Sequence, residues 1–152
     1  MDKRSEFNAA LKEALKSKDK VAMSTIRLIL AALKDRDISV REKGETEGIS
    51  EDEILMMLQS MVKQRQESSK TYSEAGRDDL AEREQAEIDV IRSFMPKQLD
   101  EAEVGAVIDG LIAEIGAHDI KDMGKVMAIM KERYAGQVDM GKAGAVAKKK
   151  LA

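Results

Sequence analysis

Two tetrapeptides near the C-terminus repeat one pattern, Asp122-Met123-Gly124-Lys125 and Asp139-Met140-Gly141-Lys142, 17 residues apart. Aspartate before a small residue is a helix start signal, because its carboxylate accepts from the first free backbone N–H groups. Glycine leaves those amides unshielded by a side chain. Lysine in the first turn stands where the helix dipole is already positive, an arrangement that an incoming anion would relieve. Two accounts are therefore open. One is plain capping; the other is a backbone-amide site for a phosphate of a larger nucleic acid, with Lys125 and Lys142 beside it. A nucleotide-hydrolysing loop is set aside, since it requires G-x-x-x-x-G-K-[ST] after a strand and neither segment fits.

Around these segments the charge is lopsided. Residues 120–152 hold eight basic groups against three acidic ones, whereas residues 97–119 hold Lys97 alone against six acids. The net charge of −3 thus conceals a basic end, and the local field governs how an anion docks. Lys121, Lys125, Lys131, Arg133 and Lys142, with the run Lys148-Lys149-Lys150, form a strip that could track a phosphate backbone. The bland account of the final run is dipole complementation in a last helical turn. Phe7, Tyr72, Phe94 and Tyr134 are too scattered for a base-stacking platform, so RNA would be recognised by shape and backbone.

Catalytic chemistry finds little support. His118 is the only histidine and there is no cysteine, which excludes disulfides, thiolate metal sites and cysteine nucleophiles. His118 with Ser93 or Ser68 would be a base–nucleophile pairing, but it has no motif behind it. No cofactor or metal is expected. Lys63–Ser68 reads as a solvated helix end, and Arg77 with Asp78, Glu84 and Glu87 as exposed ion pairs worth roughly 0.2–1 kcal/mol each. The methionines fall mostly on apolar faces and read as core filling.

The elements that must position these residues are helices. One proline, ten glycines and 3% aromatics leave little material for sheets, and the abundant Ala, Leu, Met, Lys and Glu favour helix. The fold class is all-α. Phe7, Ala10, Leu11, Ala14 and Leu15 predict a first helix over about Ser5–Lys18, and Met23, Ile26, Ile29, Leu30 and Leu33 a second from Lys20 to about Lys43, with Ile38 extending its face. Ser50 with Glu53 is a capping box that opens a third helix ending near Gly76. A fourth runs from about Asp78 until Pro96 stops it.

The domain boundary is placed at Pro96. Residues 1–96 are expected to form an N-terminal helical-hairpin bundle of about four helices, and residues 97–152 a small three-helix domain. Asp100 with Glu103 is a second capping box, and the last helices are predicted over about 101–115, 123–134 and 140–151, with Gly116 and Gly136 as stops. No apolar stretch follows Met1-Asp2-Lys3-Arg4, and the longest apolar run, Leu28–Leu33, falls far short of the ~20 residues of a membrane span. The expectation is a soluble, cytoplasmic protein.

Several stretches together resemble the YqeY family, whose fold is also the C-terminal tail of the B subunit of tRNA-dependent amidotransferases. They are Arg27-Leu28 and the residues through Lys34, "VKQRQES" (62–68), "AGRDDLAEREQAEIDVI" (75–91), "FMPKQL" (94–99) and "DMGKVMAIMKERYAGQVD" (122–139). The resemblance runs nearly end to end. It implies a larger N-terminal helical domain and a smaller three-helix one. It also implies tRNA contact through Gly124, Lys125, Lys131, Gly136 and Lys142 without chemistry there.

The partners expected are tRNA or other structured RNA, with amidotransferase or aminoacyl-tRNA synthetase machinery beside it, and no membrane. Two alternatives stand beside this non-catalytic adaptor. One is a carbon–nitrogen ligase with glutamine as amido-N-donor, an activity the resemblance suggests and for which a serine nucleophile with a lysine base would be the machinery. The other is a protein-interaction module presenting a helix face.

Overall fold

A computed structural model describes residues 2–152. Among the described residues there are seven α-helices, one 3-10 turn and no strand. The helices are α1 (Lys3–Ser17), α2 (Lys20–Arg41), α3 (Glu51–Glu74), α4 (Asp78–Arg92), α5 (Glu101–Ile115), α6 (Met123–Arg133) and α7 (Met140–Leu151). The all-α reading of the composition holds. The chain divides into two compact units, one ending at Met95 and the other spanning Pro96–Ala152.

The first unit contains α1–α4. Its core gathers Phe7 and Ala14 from α1 with Ile26, Ile29 and Leu33 from α2. Ile54, Met57, Leu58, Met61 and Val62 join from α3, and Ile88 and Ile91 from α4. Phe7 meets Phe94 edge-on, ring centroids 4.9 Å apart at 81°, which fastens α1 to the residue beyond the end of α4. α1 packs on α2, α3 packs along α4, and α2 also lies against α4.

The ends of these helices follow from side-chain chemistry. Asp2 caps α1 by accepting from Ser5 N, so the helix begins at Lys3, two residues ahead of the expected start. Lys18 closes α1 in the left-handed region at φ 58°, and Asp19 caps α2 at once by accepting from Ala22 N. Ser50 and Glu53 form the predicted capping box. α4 ends at Arg92, short of Pro96. The intervening residues tighten into i→i+3 bonds, Phe94 N to Ile91 O and Met95 N to Arg92 O. This is the usual consequence of the α region being disfavoured just before proline. Leu15 and Ile38, expected on buried faces, are 45% and 41% exposed.

The second unit holds α5, α6 and α7, each packed on the other two. Val104, Ile108 and Leu111 of α5 close on Val126 and Met130 of α6 and on Ala143, Ala147 and Leu151 of α7. The alanines let α7 approach closely, because a small side chain brings the helix backbones together. Asp100 and Glu103 form the second predicted capping box, and Gly116 ends α5 at φ +67°.

Candidate nucleic-acid interface

The two Asp-Met-Gly-Lys segments fold differently despite their identical sequence. At the second, Asp139 is a true N-cap: its Oδ1 accepts from Gly141 N at 2.8 Å and from Lys142 N at 3.3 Å. A Cβ on Gly141 would lie 3.1 Å from that oxygen, so this glycine makes room for the cap. At the first, a 3-10 turn over Ile120–Asp122 runs straight into α6, and Asp122 makes no side-chain cap to the helix. Asp119 caps the turn instead, accepting from Lys121 N at 2.9 Å. The Asp122 carboxylate turns back to accept from His118 N at 2.9 Å, which holds its pKa below the ordinary aspartate range.

The α7 tip is therefore closed by the Asp139 carboxylate, whereas α6 has no side-chain cap and runs on from a turn in which Met123 N donates to the Ile120 carbonyl. The repeat spells a helix start in both places. Whether the aspartate caps that helix depends on the residues before it. At Asp139, Val138 is buried just ahead of the helix, whereas Asp119 and Ile120 ahead of Asp122 have already begun a turn.

The cationic side chains fall into two groups. Arg133 forms a two-pronged pair with Glu114 of α5, at 2.9 and 2.8 Å, and Lys150 reaches Asp109 of α5 at 2.9 Å. The Arg133 guanidinium, through its hydrogen bonds and then its charge, holds the Glu114 carboxyl below its usual range, and Glu114 raises Arg133 in turn. Lys121, Lys125, Lys131, Lys142, Lys148 and Lys149 are exposed and form no ion pair among the described residues. Lys125 lies near enough to Asp122 to help stabilise its charge.

The two candidate glycines also differ. Gly124 is exposed on α6, and a Cβ there would meet nothing within 4 Å. Gly136 is buried at φ +75°, and its carbonyl accepts from Gln98 Nε2 at 2.6 Å. With Leu99 N donating to Gln137 O at 2.8 Å, this bond pins the α6–α7 loop to the segment before α5. Gly136 shapes that loop and presents no surface.

Among the described residues no group of three or more His, Cys, Asp or Glu could hold a metal ion, and no helix is long and apolar enough to cross a membrane. His118 is exposed and serves Asp122 through its backbone N–H. Ser93 donates its hydroxyl to the Val90 carbonyl within its own helix end.

Sequence reasoning missed a second polar cluster, on α3 and α4. Lys63–Ser68 is not simply a solvated end. Arg65 donates to Glu87 Oε2 at 3.0 Å and to the Met61 carbonyl at 3.2 Å, and the Ser69 hydroxyl donates to the Ala81 carbonyl at 3.2 Å. Arg77 pairs with Asp79, at 3.2 Å, rather than with the acids proposed for it. The available signal was length: α3 continues for 24 residues, and its polar half needs a partner helix to lie against.

Similar proteins are curated in several yeasts under the description "Altered inheritance of mitochondria protein 41, mitochondrial". The protein of Lachancea thermotolerans is 28% identical over 117 residues, covering 76% of this chain and 60% of the relative. That of Clavispora lusitaniae is 33% identical over 118 residues, covering 76% and 65%. That of Saccharomyces cerevisiae is 29% identical over 117 residues, covering 73% and 61%. The match thus takes in less than two thirds of these relatives' length.

These names overturn the expectation of a cytoplasmic protein, since the relatives are described as mitochondrial. That expectation rested on the composition near Met1 and on the short apolar runs, and neither specifies a compartment. The family model described as "Yqey-like protein" matches residues 4–151, almost the whole sequence. The chain belongs to the YqeY family.

Proposed function

We propose that this chain is a non-catalytic helical adaptor that binds structured RNA, tRNA above all, through residues 97–152. In this reading the two compact units act as separate domains, the four-helix part as a hairpin bundle and the three-helix part as the RNA reader. The observation that carries the reading is a set of lysines left without ion pairs at the C-terminal end of the second unit, although its nine basic and nine acidic groups balance overall. Six lysines on or beside α6 and α7 are exposed without an ion pair among the described residues, while the acids of α5 pair with Arg133, Lys150 and Lys97. Resemblance to amidotransferase tails supports the choice of RNA.

Because Asp139 closes the α7 tip and α6 runs on from a 3-10 turn, affinity would come from ammonium groups on phosphates. Lysine binds phosphate as a point charge, so recognition would follow the spacing of the backbone rather than the bases. Helical shape would select a folded RNA over a flexible strand, as no aromatic platform is present.

The test is binding of the full chain to bulk tRNA, with and without Lys125→Glu and Lys142→Glu together. Both positions are exposed, so the fold should persist. The double variant is expected to weaken binding by about tenfold or more, because each substitution replaces attraction to a phosphate with repulsion. Unchanged affinity would remove this reading.

A further inference from the structure

Four cations stand at seven-residue intervals along α2: Lys20, Arg27, Lys34 and Arg41. Seven residues is close to two turns, so they share one face, about 10.5 Å apart along the axis. All four are exposed, and none has an ion pair or side-chain hydrogen bond among the described residues. The residues one turn away on that face are mostly apolar or small: Met23 and Leu30 are half-buried, and Ser24, Ala31 and Ile38 are exposed. The one carboxylate among them, Asp37, is already engaged. It accepts from Arg4 Nη2 at 2.7 Å and from Ile49 N at 2.8 Å.

Towards its C-terminal end this face borders a groove of about 280 Å³ that takes its lining from α1 and α2. Leu30, Leu33 and Ile38 supply apolar surface there, Lys34 and Arg41 supply charge, and Asn8 supplies an amide from α1. Cations at heptad intervals flanking apolar positions are how one helix of a coiled coil selects an acidic neighbour.

We propose that this face of α2, with the groove it shares with α1, docks an acidic amphipathic helix of another protein, one whose carboxylates recur at seven-residue spacing. Such a helix would set its apolar stripe against Leu30 and Ile38 and its acids against Lys34 and Arg41. A nucleic-acid backbone uses the cations but gains nothing from the apolar groove, and the face has no aromatic on which a base could stack. A bilayer surface favours apolar side chains that protrude together, whereas Leu30 and Leu33 line a concavity. This surface belongs to the first unit, and the proposal does not rest on RNA binding by residues 97–152.

The experiment titrates the full chain into a fluorescently labelled designed helix, three heptads long, with Glu at every seventh position and Leu on the adjacent face. A peptide of the same composition with the register shuffled is the comparison. The in-register peptide should bind with a change in anisotropy. Lys34→Glu with Arg41→Glu should weaken binding by about tenfold or more, and Lys34→Gln with Arg41→Gln by a smaller factor. Lys125→Glu with Lys142→Glu should leave it unchanged.

Equal binding of the shuffled peptide would overturn the proposal, as would undiminished binding by both α2 double variants. Failure of the in-register peptide to bind would overturn it too. In that event, binding of bulk tRNA or of anionic phospholipid vesicles with the same Lys34 and Arg41 dependence would reassign the face to that polyanion.

Discussion

Arg65 on α3 and Glu87 on α4 meet at 3.0 Å, with only 14% and 16% of their side chains exposed. The pair bridges two helices that pack closely, and Arg65 is steadied further by the Met61 carbonyl. Removing the acid would strand a half-buried guanidinium. Glu87→Ala is expected to cost about 1–3 kcal/mol in chemical denaturation, below the range for fully buried pairs because water still reaches the site. Glu87→Gln keeps an acceptor and should cost less. Equal losses for the two variants would show that the charge contributes little beyond shape.

Gly48 lies in the loop between α2 and α3 at φ +85°, and a Cβ there would clash with Asp37 Oδ1 and sit 2.7 Å from Arg4 Nη2. Those atoms belong to the knot that ties α1, α2 and the loop together, in which Arg4 also donates to the Ile49 carbonyl at 3.2 Å. Gly48→Ala should destabilise by about 2 kcal/mol or more, combining left-handed backbone strain with displacement of the ion pair. Gly124→Ala is the contrasting case, an open helical position where the change should be neutral or stabilising by up to about 1 kcal/mol. Thermal melts of the two variants decide the point, and equal shifts would contradict it.

Thr25 is fully buried on α2, and its hydroxyl has no hydrogen-bond partner among the described residues. Valine has nearly the same shape without the hydroxyl. Thr25→Val should therefore stabilise the chain by about 0.5–2 kcal/mol, since an unsatisfied buried donor is lost and apolar contact is gained. A destabilised variant in a denaturant titration would mean that the hydroxyl is satisfied in solution.

Glu114 is held below its ordinary pKa of 4.5 by hydrogen bonds from Arg133 and by its charge. A carboxyl depressed in the folded state contributes stability above its unfolded pKa and loses it as pH falls through the folded value. Glu114→Gln should thus melt slightly below the parent chain at neutral pH, with the gap closing as pH drops below 4.5. The pair is exposed, so the gap should be small. A gap that stays constant across the range would assign the effect to packing rather than to ionisation.

The helices were legible because their signals are local. The capping boxes at Ser50 and Asp100 act within one turn, and the apolar spacing from Met23 to Leu33 marks a face without knowledge of what covers it. What needed the tertiary structure was non-local. Leu15 continues the α1 pattern yet is exposed, since the pattern cannot say how far a partner helix extends. Arg65 looks solvated in sequence because its partner lies 22 residues away on another helix.

The candidate interface shows the same division. The basic character of residues 120–152 is plain from composition, but the diversion of Arg133 and Lys150 onto α5 is not. Identical tetrapeptides at Asp122 and Asp139 proved to be different devices, because a 3-10 turn precedes only one of them.

The central claim is most directly tested by the salt dependence of tRNA binding to the full chain. Each phosphate neutralised contributes roughly 0.7–0.9 to the slope of log affinity against log salt. Contact through two to six of the exposed lysines predicts a slope between about −1.5 and −5, which Lys125→Glu with Lys142→Glu should make shallower by about 1.5–2. A slope near zero, or no detectable binding even at low salt, would contradict the account.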